Sequence, residues 1–202
     1  MRASAVLVMA AVATVFVGCS SVVDTRLRDD YAAVDLRKTV RLAIVVAPLP
    51  AGLQDVGDVW SMLARKYVNQ HRDFIVVRDR AEAAVPTDAC DGAGAQGGAI
   101  EGVLLLAGRA ERRGDEVDAA VTARLVRCRD REEIWQTRAA GIWPVADDDL
   151  VEARRYWVSQ SAAVVDPFVV ASYRLLTDAL STLPSPVMPD EAYVREKIDL
   201  GE

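Results

Sequence analysis

The sequence predicts an α/β (α+β) fold: a βαβ unit, then a three-stranded antiparallel meander, then a long C-terminal helix packed on the sheet. Three observations carry this expectation. Val40 to Ala47 is a β-branched apolar run closed by Pro48-Leu49-Pro50, which reads as a largely buried strand. Val56, Trp60, Leu63 and Tyr67 follow at helical spacing and Phe74 to Val77 is a second short apolar run, so two strands flank one helix and pair in parallel. Glu116 to Cys128 then alternates, with Val117, Ala119, Val121, Ala123 and Leu125 on one face and Glu116, Asp118, Thr122 and Arg124 on the other. That is the mark of a half-exposed antiparallel strand.

The elements follow in order. Residues 20–38 are rich in charge (Asp24, Arg26, Arg28, Asp29, Asp30, Asp35, Arg37, Lys38) and read as a tether with a short helix near its end. Asp55 or Asp58 is placed to cap the first long helix, with Arg65, Lys66 and Gln70 outside its apolar stripe. Residues 81–99 carry Gly92, Gly94, Gly97 and Gly98 without periodicity and read as a loop; a phosphate-cradling reading requires a P-loop pattern with Lys and Ser or Thr, and that pattern is absent. Gly102 to Ala110 is a third strand turning through Arg112-Arg113-Gly114-Asp115. Ile134 to Trp143 is a fifth, stopped by Pro144. Asp147, Asp148 and Asp149 open a helix that faces inward through Leu150, Ala153, Trp157 and Ser161 or Val164. Asp166-Pro167 restarts it as N-cap and first residue, and Phe168, Ala171, Leu175, Ala179 and Leu183 continue the stripe to Pro184. Three prolines and an acidic segment, with a possible short helix, finish the chain.

Composition excludes several function classes. The 202 residues are 51% hydrophobic and 27% charged, with a formal net charge of −6. Nucleic-acid binding needs a surplus of Lys and Arg on one face, and a pI of about 4.9 argues against it. One histidine and three cysteines leave most metal and nucleophile chemistries short of parts. No cofactor is expected.

The first twenty residues carry an address. Arg2 precedes an apolar stretch, Ala3 to Val17, broken only by Ser4 and Thr14. It is short of the roughly 20 residues a spanning helix needs and fits a signal-peptide core. Phe16-Val17-Gly18-Cys19, followed by Ser20-Ser21, resembles the bacterial lipoprotein box. The resemblance implies cleavage before Cys19, diacylglyceryl attachment to its sulfur, and acylation of the new amino terminus. The alternative is an ordinary secretory signal with a chance cysteine. Removing residues 1–18 takes the net charge to −7 and leaves about 48% hydrophobic residues, an ordinary globular value. Two or three acyl chains make a lasting anchor where one does not. Ser20, in place of Asp, lacks the inner-membrane retention signal, so the expected location is the periplasmic face of the outer membrane. The resulting organisation is a cleaved signal (1–18), a lipidated tether (19–38), one periplasmic α/β domain (39–184) and an acidic tail (185–202).

With Cys19 acylated, Cys90 and Cys128 remain as an even pair in an oxidising compartment, and a disulfide between them is expected. A loop of that length is worth roughly 4 kcal/mol by chain-entropy estimates. A redox or metal pair lacks both CxxC spacing and clustered histidines.

The element order is similar to that of the periplasmic α/β domain of the curli secretion lipoprotein, the penicillin-binding-protein activator lipoproteins and the amino-terminal domain of TolB. Those share a strand ending near a proline before the first helix and a meander Trp comparable to Glu133-Ile134-Trp135. More specifically, Val45-Val46-Ala47-Pro48-Leu49-Pro50, Ala64 to Gln70 with Arg72-Asp73-Phe74-Ile75-Val76, Glu101-Gly102-Val103-Leu104 and the ending Glu196 to Glu202 resemble a family of uncharacterised lipoproteins found in myxobacteria and leptospires. That resemblance implies location and fold and carries across no catalytic or binding residue.

Candidate chemistry is sparse. His71 has no Gly-x-Ser-x-Gly elbow to serve and reads as a surface or helix-end residue. Asp147 to Asp149 with Glu152 offer hard-cation oxygens, but acids at a helix start are equally favoured by the helix dipole, and EF-hand spacing is missing. Paired acids for glycoside hydrolysis have no support among 30 carboxylates. Trp60 and Trp157 read as core. Trp135 and Trp143 share one parity of the fifth strand and are either core or one side of a partner surface. Arg112, Arg113, Arg124, Arg127, Arg129 and Arg131 gather at the same sheet edge and read as a solvated face, with an acidic partner as the alternative. A non-enzymatic accessory or assembly protein that binds an envelope protein partner is therefore expected, with Trp135, Trp143, Arg112 and Arg124 as the candidate surface. The competing expectation is a small-molecule or lipid-binding module with a pocket between sheet and helices.

Overall fold

The β-branched run after Thr39 becomes an interior strand because from Leu42 to Val46 every residue is buried, so both of its faces need cover. The computed structural model describes residues 21–80, 86–91 and 99–201. In chain order the strands are β1 (Val22–Leu27), β2 (Arg41–Val46), β3 (Ile75–Arg80), β4 (Gly102–Arg113), β5 (Glu116–Arg127) and β6 (Glu133–Pro144). The helices are α1 (Tyr31–Val34), α2 (Gln54–His71), α3 (Val151–Ser159), α4 (Val169–Ser181) and α5 (Glu191–Gly201). Short 3-10 turns lie at Pro86–Asp91, Asp148–Leu150 and Ala163–Phe168. One sheet takes all six strands in the order β1-β6-β5-β4-β2-β3. β2 is parallel to both β3 and β4, the β4-β5-β6 meander is antiparallel, and β1 is antiparallel to β6. The fold is thus of the mixed class that the sequence implies.

The two sides of the sheet have separate cores. One is made by α2 and α4 against Leu42, Ile44, Leu104, Leu106 and the odd-numbered residues of β5 from Val117 to Leu125. Trp60 is fully buried there, and its indole N–H donates to Ser172 Oγ at 2.9 Å, joining α2 to α4. Gly108 makes room for this ring: a Cβ on it would stand 2.1 Å from the Ala120 carbonyl oxygen and 3.0 Å from the Trp60 ring. The second core is smaller, with Val40, Ala43, Val45, Ile75, Val77, Val103 and Leu105 under the 3-10 turn at Pro86–Asp91 and the side chains of Tyr193 and Leu200 on α5.

Several local expectations are corrected. The segment read as a tether contains β1, a sixth strand, because Thr25 and Thr137 hydroxyls meet at 2.8 Å and the β1 backbone pairs with β6. The Ser21 hydroxyl donates to Asp178 on α4 at 2.7 Å, so Ser21 is already held against the helical layer. Neither Asp55 nor Asp58 caps α2; Leu53 holds that position, and Asp55 instead sits in the first turn, where the helix dipole favours it. β4 runs on to Arg113, and the turn is made by Gly114 with φ +66°, a conformation open to glycine. The long C-terminal helix is broken into α3, a 3-10 turn and α4. Asp166 and Pro167 lie inside that turn, Val164 points outward, and the Asp166 carboxylate is gripped by Arg154 at 2.7 Å instead of capping α4.

The acidic C-terminal segment forms α5 and lies on the sheet. Arg41 donates to Glu196 at 2.6 and 2.9 Å, and its guanidinium sits 4.0 Å over the Tyr193 ring. The Tyr193 hydroxyl donates to Glu101 at 2.9 Å, and Glu101 also accepts from the Val40 and Arg41 backbone N–H groups. Burial, then the neighbouring Glu101 carboxylate, pushes the Tyr193 phenol above its ordinary range.

Candidate functional site

Side-chain parity divides the residues expected to form one partner surface. On β6, Trp135 and Trp143 stand opposite Leu125 and Val117, on the side covered by helices. Trp135 is 1% exposed, and its indole N–H donates to the Thr182 carbonyl at 3.0 Å. It belongs to the core and offers nothing to a partner. Trp143 is half-buried and lies along its own strand over Gly141, where an added Cβ would come within 2.6 Å of the ring. Arg112 pairs with Val117 on that same side and folds back so that its Nε donates to the Gly114 carbonyl at 2.8 Å. Of the four, only Arg124 faces the opposite side, 3.8 Å from Glu133.

That opposite side is open over β5, β6 and the far half of β4. Among the described residues, α5 and the 3-10 turn at Pro86–Asp91 lie over β2, β3 and the start of β4, and the turn is also tied to the end of β5 through Cys128. The open area is a shallow groove of about 450 Å³ floored by Ala107, Ala120, Thr122 and Ala140 and bordered by Arg109 and Arg138. Its charges are mutually paired: Arg109 and Arg113 with Asp118 at 2.9 and 3.3 Å, and Arg138 and Arg26 with Asp24 at 3.2 and 3.4 Å. Such exposed pairs contribute little to stability. Two large apolar side chains stand out beside them, Val23 at 68% exposure and Ile142 at 60%. The even positions of β5, already separated by alternation, pointed to this face; β1, and with it Asp24 and Val23, gave no comparable signal.

Arg127 is not a surface arginine. It continues the odd-numbered inward parity of β5, is 4% exposed, and contacts Asp35, Asp130 and Glu132 at 2.8, 2.7 and 3.0 Å. Asp35 also accepts from Thr39 at 3.0 Å, and Arg28 bridges Asp30 and Glu132 at the rim. Hydrogen bonds from Arg127 hold the Asp130 carboxyl at about 2, against an ordinary 3.8. Burial, aided by Asp35, pushes the Tyr31 phenol up to about 12. This knot fastens α1 and the β5–β6 turn; it is a structural cluster, with every carboxylate engaged.

The remaining expected positions fall as follows. Cys90 and Cys128 are disulfide-bonded with Cα atoms 5.3 Å apart, tying the 3-10 turn at Pro86–Asp91 to the end of β5. Cys19 and Gly92, Gly94, Gly97 and Gly98 lie outside the described residues. Asp147 accepts from the Asp149 backbone N–H at 2.9 Å and pairs with Arg174 at 2.8 Å, which together hold its carboxyl below the usual range. Its oxygens are thereby spent on a helix start and an arginine, and among the described residues no group of three or more His, Cys, Asp or Glu is arranged to hold a metal. Trp157 is buried as expected, and His71 ends α2 with its ring 4.7 Å from that of Tyr67. Between sheet and helices the described residues pack buried apolar side chains into the larger core. No described helix is long and apolar enough to cross a membrane.

What fold and surface define is a one-sheet α/β domain with one face sealed by helices and the other partly bare. No family model matches the chain, and no curated protein matches it. Among solved structures, a PelC dodecamer from Paraburkholderia phytofirmans is similar at a TM-score of 0.49 and 16% identity, covering 75% of this chain and 92% of that one. A point variant of the same PelC gives 0.47 and 16%, over 74% and 92%. A neuraminyllactose-binding hemagglutinin homolog from Helicobacter pylori gives 0.35 and 11%, over 81% and 92%. At these values the likeness concerns chain path alone and says nothing of what this chain binds.

Proposed function

We propose that this chain is an outer-membrane lipoprotein, anchored through an acylated Cys19 at the periplasmic face, that acts as a non-enzymatic accessory protein by holding another envelope protein against the open face of its sheet. The observation that carries the reading is the position of Ser21. It is two residues from Cys19, it donates to Asp178, and its carbonyl accepts from the Ala140 N–H at 2.8 Å. Two residues span at most about 7 Å. An acylated Cys19 would therefore hold the β1–β6 edge close to the headgroups, without a flexible tether. The open groove borders β1 and so would lie near the membrane plane, where a membrane-embedded or membrane-bound protein can reach it. Membership of the lipoprotein family that the sequence resembles is part of the same proposal.

Metabolic labelling with a palmitate analogue, followed by envelope fractionation, tests the anchor. The natural chain is expected to take the label and travel with outer membrane. Cys19→Ala is expected to be unlabelled and released from it. An unlabelled natural chain, or unchanged fractionation of the variant, overturns the reading.

A further inference from the structure

We infer that the cleft where α2, α3 and α4 meet is a binding site for a small organic anion with a flat apolar body. The cleft has a volume of about 460 Å³, within the about 300–1,000 Å³ typical of small-molecule sites. Helical spacing builds it: Leu63, Lys66, Tyr67 and Gln70 share one face of α2, Ala153 and Trp157 one face of α3, and Tyr173 and Leu176 one face of α4. Trp157 and Leu176 are buried at its base, while Tyr67 and Tyr173 are half-buried along its walls.

The lysine of the cleft differs from the arginines of the buried and half-buried ion pairs. Arg41, Arg127, Arg154 and Arg174 each rest on a carboxylate. Lys66 does not. Its Nζ lies 4.8 Å over the Tyr156 ring and 5.5 Å over the Trp157 ring, and among the described residues it has no hydrogen-bond or ion-pair partner. Nearby, the Arg72 guanidinium sits 5.6 Å over the Tyr67 ring and gives its N–H groups to backbone carbonyls of His71, Leu180 and Ser181. Glu152, the one carboxylate at the cleft, is already held by Arg155 at 2.9 Å. Lys66 is thus the lining cation whose ammonium rests on rings and not on a carboxylate.

An ammonium on a ring face keeps its donors free for an incoming acid group, and a charge-assisted bond is the stronger kind. The half-buried tyrosines supply flat apolar surface for the rest of the ligand. A neutral molecule of the same shape would gain the stacking and lose the charge term. A cation would be repelled by Lys66.

The probe pair is 2-naphthoate and 2-naphthamide, equal in shape and differing in charge. Each is titrated into the full chain in detergent solution, with the Trp157 indole N–H and His71 ring resonances followed by NMR. Naphthoate is expected to shift both signals saturably and to bind about tenfold more tightly than naphthamide, the size of a single charge-assisted contact. Lys66→Gln, at an exposed position, is expected to erase that preference, and Tyr156→Ala to weaken both compounds together. Equal binding of the two compounds, absence of shifts at Trp157 and His71, or a preference that survives Lys66→Gln overturns the inference.

Discussion

The two faces of the sheet come from the same strands by the same alternation, yet only one is sealed. On the helical side, the odd positions of β5 are Val, Ala, Val, Ala and Leu, and Trp60 and Trp135 reach across from α2 and β6 to fill the layer. On the other side, the even positions are Asp118, Ala120, Thr122 and Arg124, and the cover given by the described residues lies over β2, β3, the start of β4 and the Cys128 end of β5. The difference shows where the folding energy resides. Burial on the helical side holds the fold together, while the open half of the opposite face contributes little and is free to meet something else.

The largest effect is expected on the sealed side. Trp60→Ala removes a fully buried ring and the Ser172 partner of its N–H, and should cost about 3–5 kcal/mol in denaturant unfolding. A loss under about 1 kcal/mol would mean that the helical layer is not the principal core. Next comes the covered part of the second face. Cys90→Ala with Cys128→Ala opens a link across 38 residues and should cost about 4 kcal/mol at most, with faster hydrogen exchange concentrated in β2–β4 rather than in β5–β6. Uniform loss of protection would erase the distinction between the two regions.

Smaller again is Glu196→Gln, which leaves Arg41 with only its longer 3.4 Å contact to Glu101 and should cost about 1.5 kcal/mol, raising the protease sensitivity of α5 before that of the sheet. The smallest effect is a pH dependence in the Arg127 knot. Asp130 titrates at about 2 when folded and near its ordinary 3.8 when unfolded, so its stabilising contribution is complete above the unfolded value and fades as pH falls from about 4 toward 2. The difference in Tm between the natural chain and Asp130→Asn should be constant above pH 5 and shrink across that window. A difference that grows on acidification would have the wrong sign for this ion pair.

Much of the sealed face was legible in the sequence. Val56, Trp60, Leu63 and the stripe from Phe168 to Leu183 announce helices with one buried side, and all are buried. The alternation of β5 likewise names its inner and outer residues. β1 was illegible because Val-Val-Asp-Thr-Arg-Leu is an edge strand whose register shifts between Val22 and Asp24, so its side chains do not alternate, and Asp24 and Arg26 add charge to the short run. Arg127 was misread because a charged residue overrode parity: its even spacing from Leu125 already placed it inward, and the compensating Asp35 lies 92 residues away. The cleft beside Lys66 was hidden for a similar reason. Lys66 sat outside the apolar stripe of α2, and no local pattern shows that α3 would bring Tyr156 and Trp157 beneath it.

The central claim is that a lipid-held domain meets its partner through the open face. A photoreactive amino acid placed at Thr122, in the middle of that face, and a second placed at Arg155 on the outer side of α3 test it in intact cells. The account expects one discrete protein adduct from Thr122, none at that mass from Arg155, and loss of the adduct when Cys19→Ala is combined with the Thr122 probe. No adduct from Thr122, or the same adduct from both positions, would contradict it.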